Sequence, residues 1–468
     1  MMNTPAPYSS NRRLECVAGL LLLLVASGVS AQQNSGLPDA PLPTRVLTAQ
    51  AQTPPPMSGP PQVPLPVLDP SKRAITLEQA LDMAKRNNPT LQANQTLIQQ
   101  NKAQEITANL RPNPVLSWDT QFLPLFAPSL WSDSNYWETQ AQYDVGVSYL
   151  FERGKKRQHR LDAAKTATAV TESQVEDAQR TVLANAAQLF VAALLAKSNL
   201  EFAESLLDSY KKTVDISEER HKAGAMSRND LLKIQLQSLQ FESDVSNAQL
   251  ARAQALASLR QFLGFDSVPA DYEVVGSLAY DPVTARLEDL QARALASRPD
   301  LQAAQRSVVA SQSQVGLAKA NGKADLNVNF DYTRLNQNNL GAFYFNIPLP
   351  VFSKNQGEIA RTQYAVTQSQ FQQKAAEQQV LTEVQNDYEG LRRSEQVLRL
   401  YDQGYLDKAT ESLDITRFSY EHGAASLLDF LDAERSYRST QLSYRQALAT
   451  YMTSLEQLRQ AVGTRELR

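Results

Sequence analysis

Gly224-Ala225-Met226-Ser227-Arg228-Asn229-Asp230-Leu231-Leu232 returns 199 residues later as Gly423-Ala424-Ala425-Ser426-Leu427-Leu428-Asp429-Phe430-Leu431. The shared pattern Gly-x-x-Ser-x-x-Asp reads as one helix ending and the next beginning. A glycine just past a helix end adopts the left-handed conformation without a Cβ clash. Arg220, His221 and Lys222 precede Gly224 and place positive charge where the last helical carbonyls point. Ser227 and Ser426 are predicted N-caps, and Asp230 and Asp429, three residues on, complete capping boxes. Each copy therefore predicts a tight tip between two antiparallel helices.

The repetition continues on both sides of the tips. Asn88-Pro89-Thr90-Leu91-Gln92-Ala93 matches Arg298-Pro299-Asp300-Leu301-Gln302-Ala303, 210 residues on. Leu259-Arg260-Gln261 and Gly264 match Leu458-Arg459-Gln460 and Gly463 at the offset of 199. The offset shrinks because the first half carries extra residues near 122–140. Matches in one order over so long a period indicate duplication, not a short-repeat solenoid. The boundaries that follow are a first repeat over 74–264, a linker over 265–284 and a second repeat over 285–463. Each repeat reads helix, strand, loop, strand, long helix, turn, long helix.

No proline occurs from 129 to 268, nor from 351 to the end, so long helices are expected to run unbroken there. Val182, Ala186, Leu189, Ala193, Ala196, Leu200, Ala203, Leu207, Tyr210 and Val214 alternate spacings of four and three. That is the seam of a coiled coil. Tyr437, Tyr444, Leu448, Tyr451, Leu455, Leu458 and Val462 form a second seam. A helix from Lys155 to His221 reaches roughly 100 Å at about 1.5 Å per residue, too long for an ordinary globular domain.

Four short segments alternate in polarity instead: Val115–Phe122, Tyr143–Leu150, Leu326–Thr333 and Phe343–Leu349. Leu326, Val328, Phe330 and Tyr332 oppose Asn327, Asn329, Asp331 and Thr333, which places one strand face in an apolar medium and the other in water. About nine tilted residues span an outer membrane. Four strands fall short of the roughly eight that close the smallest barrel, so several chains would have to pool theirs. A soluble antiparallel sheet lying on the helices is the alternative. All three tryptophans lie between 118 and 137, where rings at a membrane boundary give one account of them.

The N-terminus reads as a signal peptide over 1–31: Arg12 and Arg13, an apolar core from Val17 to Gly28, and Val29-Ser30-Ala31 for cleavage. A single-pass anchor is the competing reading, although no later run of about 18 apolar residues is evident. Residues 32–73, with Pro54-Pro55-Pro56 and Pro60-Pro61, read as a disordered linker. The single cysteine, Cys16, precedes the apolar core, so lipidation and disulfides are not expected. The net charge of −3, spread along the chain, gives no basic block for nucleic acid. Three scattered histidines form no ligand cluster, and no phosphate loop or nucleophile–histidine pair occurs, so neither an enzyme nor a cofactor is expected.

Asp230 and Asp429 are accounted for by capping as readily as by a role in a channel. Asp432 lies three residues beyond Asp429 on the same helix face, and capping does not require it. In a three-fold assembly Asp429 and Asp432 would stack as two carboxylate rings, which favour cations. A solvated helix face is the plainer fate of both.

The two-fold repeat, paired hairpin tips and four strands together resemble the TolC-type outer-membrane efflux proteins over roughly residues 74–463. Ile75-Thr76-Leu77-Glu78-Gln79-Ala80-Leu81 with Asn88-Pro89 carries the likeness at the start. Phe151-Glu152-Arg153-Gly154-Lys155-Lys156-Arg157 and Leu349-Pro350-Val351-Phe352-Ser353-Lys354-Asn355-Gln356-Gly357 resemble the cobalt–zinc–cadmium subgroup, called CzcC-like. The resemblance implies a mainly α fold with a small transmembrane β part: a homotrimer whose strands close one twelve-stranded barrel above a periplasmic coiled-coil tunnel. It implies a location in the outer membrane lipid. It implies docking, through the hairpin tips with Gly224, Ser227, Gly423 and Ser426, to a periplasmic adaptor (a membrane fusion protein) and a proton-driven inner-membrane pump of the RND type. It places gate residues at Asp429, Asp432, Tyr420 and Asp230, while the arginine of the family's polar lock falls at Ala425. The expected function is a passive exit duct for divalent heavy-metal cations. Multidrug efflux or type I protein secretion on the same scaffold is the alternative, and a periplasmic coiled-coil adaptor is the alternative of another class.

Overall fold

The structure is a computed structural model, and residues 74–467 are described. The predicted signal peptide, 1–31, and the whole predicted linker, 32–73, lie outside the described residues. The first half opens on β1 (Ala74–Ile75) and two short helices, α1 (Leu77–Asn87) and α2 (Pro89–Asn109). Thr76 and Gln79 form a reciprocal capping box at the start of α1. Pro89 begins α2, where its missing N–H leaves no helical bond unmade. Next come β2 (Val115–Gln121), α3 (Ser134–Thr139), β3 (Gln142–Phe151), α4 (Lys156–Lys222) and α5 (Arg228–Leu263). The second half repeats the order: β4 (Glu273–Val274), α6 (Leu287–Ser297), α7 (Pro299–Asn321), β5 (Leu326–Leu335), β6 (Asn338–Asn346), α8 (Gln356–Leu400), α9 (Leu406–Glu421) and α10 (Leu427–Val462). β1 pairs with β4 in parallel, a two-residue contact between the halves that the sequence did not announce.

The duplication is visible at one joint in atomic detail. Asn88 Nδ2 donates to the carbonyl of Phe262 at 2.9 Å, tying the α1–α2 junction to the end of α5. In the second half Arg298 takes the matching place and donates to the carbonyl of Ala461, 199 residues beyond Phe262, at 3.1 Å. Asn88 also caps α2 through Leu91 N–H. Arg298 caps nothing; its guanidinium is fully buried against Asp300 at 2.5 Å and Glu383 at 2.6 Å. A buried charge is tolerated because two carboxylates meet it.

The sheet order is β2-β3-β5-β6, antiparallel throughout. Register aligns Leu116, Val147, Phe330 and Phe343 in one row, and Ser117, Gly146, Asp331 and Ala342 in the next. Opposed residues in an antiparallel ladder point to the same side. One face therefore carries Trp118, Val145, Val147, Phe330, Phe343 and Phe345, and the other Asp119, Asp144, Ser148, Asn329, Asp331 and Asn346. The apolar face is bare: Trp118 is 77% exposed and Phe343 67%. β2 and β6 each leave an edge unpaired within the described residues.

Two expectations need correction. The fourth strand runs over Asn338–Asn346, not Phe343–Leu349. Pro348 has no N–H for a ladder, while Asn336 and Gln337, both at positive φ, turn the chain directly from β5 into β6. The turn was hidden because it contains no glycine. The long second-half helix is also interrupted, although no proline occurs in it: at Tyr401–Tyr405 the ladder breaks, with Gly404 at φ 90. A left-handed glycine ends a helical run as surely as a proline.

Seam residues of α4 and α10 are buried or half-buried along their lengths. One 18-residue window of α4 is long and apolar enough to cross a membrane by composition, with mean hydropathy 1.4, which the sequence reading overlooked. Ala186, Ala187, Phe190 and Ala193 of that helix pack with Ile75, Leu81, Leu259 and Val274 in the core of the first half, which accounts for its apolarity. A second core joins α6, α8 and α10, and a third, smaller one fills the hairpin tips.

Candidate functional site: the hairpin tips

Helix α4 ends with Arg220, His221 and Lys222, and Gly224 follows at φ 74. His221 Nδ1 lies 2.9 Å from the carbonyl of Met226 and closes the turn. Ser227 accepts from Asp230 N–H at 3.1 Å, and its hydroxyl donates to the Asp230 carboxylate at 2.7 Å. Asp230 does not reach the Ser227 backbone, so the first tip has only half of the expected capping box. The second tip, with Gly423 at φ 77, has the whole box: Ser426 N–H donates to Asp429 at 3.1 Å and Ser426 accepts from Asp429 N–H. Hydrogen bonds from Ser426 hold the Asp429 carboxyl below the usual carboxylate range. Asp432 lies one turn further, exposed, 3.7 Å from Arg435. Within the single chain these carboxylates face solvent and form no ring.

Behind the tips the two hairpins lock together. Tyr420 of α9 is buried and stacks flat on Phe430 of α10, with ring centres 5.2 Å apart and planes 9° from parallel. Arg220 of α4 lies 5.5 Å over the Tyr420 ring and donates to the Tyr420 carbonyl at 3.2 Å. This joins hairpins 200 residues apart in sequence. Burial raises the Tyr420 phenol above its ordinary value, against the opposing effects of Arg220 and Ser217. Asp230 makes no hydrogen bond to that hydroxyl. Asp230 is held instead by Ser227 and, at 3.7 Å, by Lys233. Replacing Arg220 with Met is expected to cost about 1–2 kcal/mol at the tip, the loss of one charge-assisted hydrogen bond and one cation–π contact. Faster limited proteolysis across the two turns, with the rest of the fold unchanged, is the measurement that checks it.

Glu434 was not singled out from the sequence. It is 7% exposed, on the face of α10 that meets α4 and α9. It lines a cavity of about 550 Å³ with Tyr210, Leu413, Arg417, Phe430 and Tyr437. Burial pushes its carboxyl up to about 7, despite Arg438 and Arg417. Tyr210 is raised as well, by burial first and by the neighbouring Glu434. A signal existed: the second seam extends back from Tyr437 by three and then four residues to Glu434 and Phe430, so a glutamate occupies a core position. Among the described residues no group of histidine, cysteine, aspartate and glutamate could hold a metal ion.

A bare two-faced sheet joined to a 67-residue helix that ends in paired tips is the architecture that the sequence led one to expect of a membrane-channel subunit. Residues 80–265 and 290–464 match the family described as outer membrane efflux protein, and the chain belongs to that family. It is 24% identical over 375 residues to the cobalt-zinc-cadmium resistance protein CzcC of Cupriavidus metallidurans, covering 79% of this chain and 85% of that one. It is 26% identical over 330 residues to the cation efflux system protein CusC of Escherichia coli O157:H7, covering 66% of this chain and 71% of that one. A crystal structure of CusC superposes with a TM-score of 0.68 at 20% identity, over 83% of this chain and 92% of that one. The protein is an outer membrane efflux protein, similar in sequence to CzcC and in fold to the CusC channel structure.

Proposed function

We propose that three copies of this chain assemble into the exit duct of a tripartite efflux system for divalent heavy-metal cations. The observation that carries the assembly is the sheet: four strands, one apolar face, one polar face and an unpaired strand at each edge. An unpaired edge in a membrane is unstable, because no water is present to satisfy its N–H and C=O groups. Joining β2 of one copy to β6 of the next removes every edge and yields a barrel of twelve strands with the polar face inside. The long hairpins then continue as a tunnel below the barrel. Transport is passive, since work done at a proton-driven inner-membrane pump needs only a water-filled path outward. No bond is made or broken, and no catalytic group is assigned.

In this reading a periplasmic adaptor docks at the tips around Gly224, Ser227, Gly423 and Ser426. Asp429 and Asp432 ring the constriction, and Tyr420 and Asp230 belong to the gate. With alanine at 425, the Arg220–Tyr420 link stands in for the family's arginine lock. The cation cargo is supported by the names of the relatives CzcC and CusC. The test is growth of a deletion strain on cobalt, zinc, cadmium, nickel, copper and common antibiotics. Selective loss of metal tolerance supports this cargo. Sensitivity to drugs with metal tolerance intact overturns it and leaves a multidrug channel.

A further inference from the structure

Phe151-Glu152-Arg153-Gly154-Lys155-Lys156-Arg157 turns the chain from β3 into α4, and the channel reading leaves its charges without a use. Gly154 and Lys155 are both left-handed, at φ 72 and φ 59. A Cβ on Gly154 would lie 2.6 Å from Lys323 Cδ, so the turn is packed beneath a lysine of the second half. Lys156 Nζ meets Asp325 at 2.6 Å, and Arg160 pairs with Glu152. Those pairs occupy Glu152 of the turn and Asp325 of the second half. Arg111, Arg153, Lys155 and Arg157 remain, and among the described residues none has a carboxylate within ion-pairing distance; of the four, Arg111, Lys155 and Arg157 share a groove.

These three cations line one groove of about 670 Å³ together with Glu152, already paired with Arg160, and Lys156, already paired with Asp325, and Tyr149 and Phe151 form its apolar wall. Tyr149 and Phe151 are alternate residues of β3 on the side of Val145 and Val147, so the wall continues the apolar strand face. The first turn of α4 has no acidic residue and no side-chain cap, so its free N–H groups add to the positive field. The groove thus joins unpaired positive charge to an apolar slope leading into the sheet. A free anion would use the charge and ignore the slope, whereas a lipid uses both.

We propose that this groove binds an anionic phospholipid of the periplasmic leaflet. Its phosphate sits among Arg111, Lys155 and Arg157, and an acyl chain lies along Phe151 and Tyr149. The proposal rests on the reading that the sheet stands in the membrane. The groove lies at the strand end from which α4 descends, so it meets the inner leaflet and not the outer one. Charge at a membrane surface adds attraction with each lysine or arginine, and three of them make the preference for an anionic headgroup large.

The test is native mass spectrometry of the detergent-purified, full-length oligomer titrated with phosphatidylglycerol or phosphatidylcholine. Phosphatidylglycerol is expected to be retained at about tenfold lower concentration than phosphatidylcholine. Arg111→Gln/Lys155→Gln/Arg157→Gln is expected to abolish that difference, while Arg111→Lys/Lys155→Arg/Arg157→Lys keeps it. Should the triple neutral variant misfold, the single exposed substitution Lys155→Gln still lowers retention several-fold. Equal retention of the two lipids, an unchanged neutral variant, or displacement of phosphatidylglycerol by equimolar inorganic phosphate overturns the proposal. Insertion of the oligomer into vesicles is measured alongside. An oligomer that inserts but shows no lipid preference sinks the lipid site alone, whereas one that never inserts sinks the membrane reading as well.

Discussion

Glu434→Gln is expected to raise the thermal stability of the protein at pH 8.5 and to leave it nearly unchanged at pH 4. Burial is the first cause of the raised carboxyl, which moves from 4.5 to about 7, and Arg438 and Arg417 only partly offset it. The sign follows from comparing the two states. In the unfolded chain the carboxyl ionises near 4.5; in the folded chain it holds its proton to about 7. Below the lower value both states are protonated and the residue is neutral in its effect. As pH rises past 4.5 the unfolded state loses its proton first, so folding is progressively disfavoured until about 7 and the loss is constant above that. The full difference is roughly 3 kcal/mol per chain, since one pKa unit corresponds to about 1.4 kcal/mol.

Glutamine keeps the shape and removes the titration, so its advantage appears only at high pH. The neighbours do not mimic this profile. Arg438 pairs with Asp244 of α5, Arg417 lies 3.6 Å from Asp414 on α9, and Glu201, Tyr210, Tyr437 and Arg445 line the same cavity from α4 and α10. Of these, Tyr210 is raised far above the working range, and Arg445, lowered by its burial, stays charged there as arginines do. Helical circular dichroism followed against temperature at both pH values checks the prediction. An equal shift at pH 4 and pH 8.5 would show that glutamine acts through packing and not through the charge.

The periodic parts of the molecule were legible because period follows burial. A seam of four-three spacing has to face another helix, and a strand alternating in polarity has to separate two media. The tips were legible because helix ends have their own chemistry: Gly224, Ser227, Gly423 and Ser426 stand where capping demands them. What stayed hidden depends on partners distant in sequence. Arg220 looked like one of three cations at a helix end, and only folding brings it to Tyr420. Arg298 occupies the place of Asn88, and the shared task of reaching an opposite helix end is invisible until Phe262 and Ala461 are seen to correspond. Gly404 breaks its helix, whereas Gly390, in the same helical stretch, does not, and nothing local distinguishes them.

Asp429→Asn/Asp432→Asn is expected to lower the preference of the channel for cations and to raise at least tenfold the divalent-cation concentration that half-blocks conductance in a planar bilayer. The expectation follows from geometry and magnitude together. The two residues lie one helical turn apart on the tip of α10, so in the proposed trimer they would place two carboxylate levels in one constriction. Opposite unit charges about 4 Å apart gain about 1 kcal/mol in bulk water and about 4 kcal/mol near a protein surface. A tenfold change needs only about 1.4 kcal/mol, so the loss of part of one ring is enough to be read. Asparagine is the right replacement because its side-chain oxygen still accepts at Ser426, where Asp429 now receives the Ser426 N–H and hydroxyl. The cap therefore survives while the charge goes. Asp230→Asn is the comparison at the first tip, where Asp230 accepts the Ser227 hydroxyl but not its N–H. If Asp429→Asn/Asp432→Asn leaves selectivity and block unchanged, the two aspartates serve the cap and the solvated face alone, and the constriction lies elsewhere in the tunnel. If selectivity falls with the pair and not with Asp230→Asn, then the charge of the second tip faces the path of the ions and that of the first tip does not.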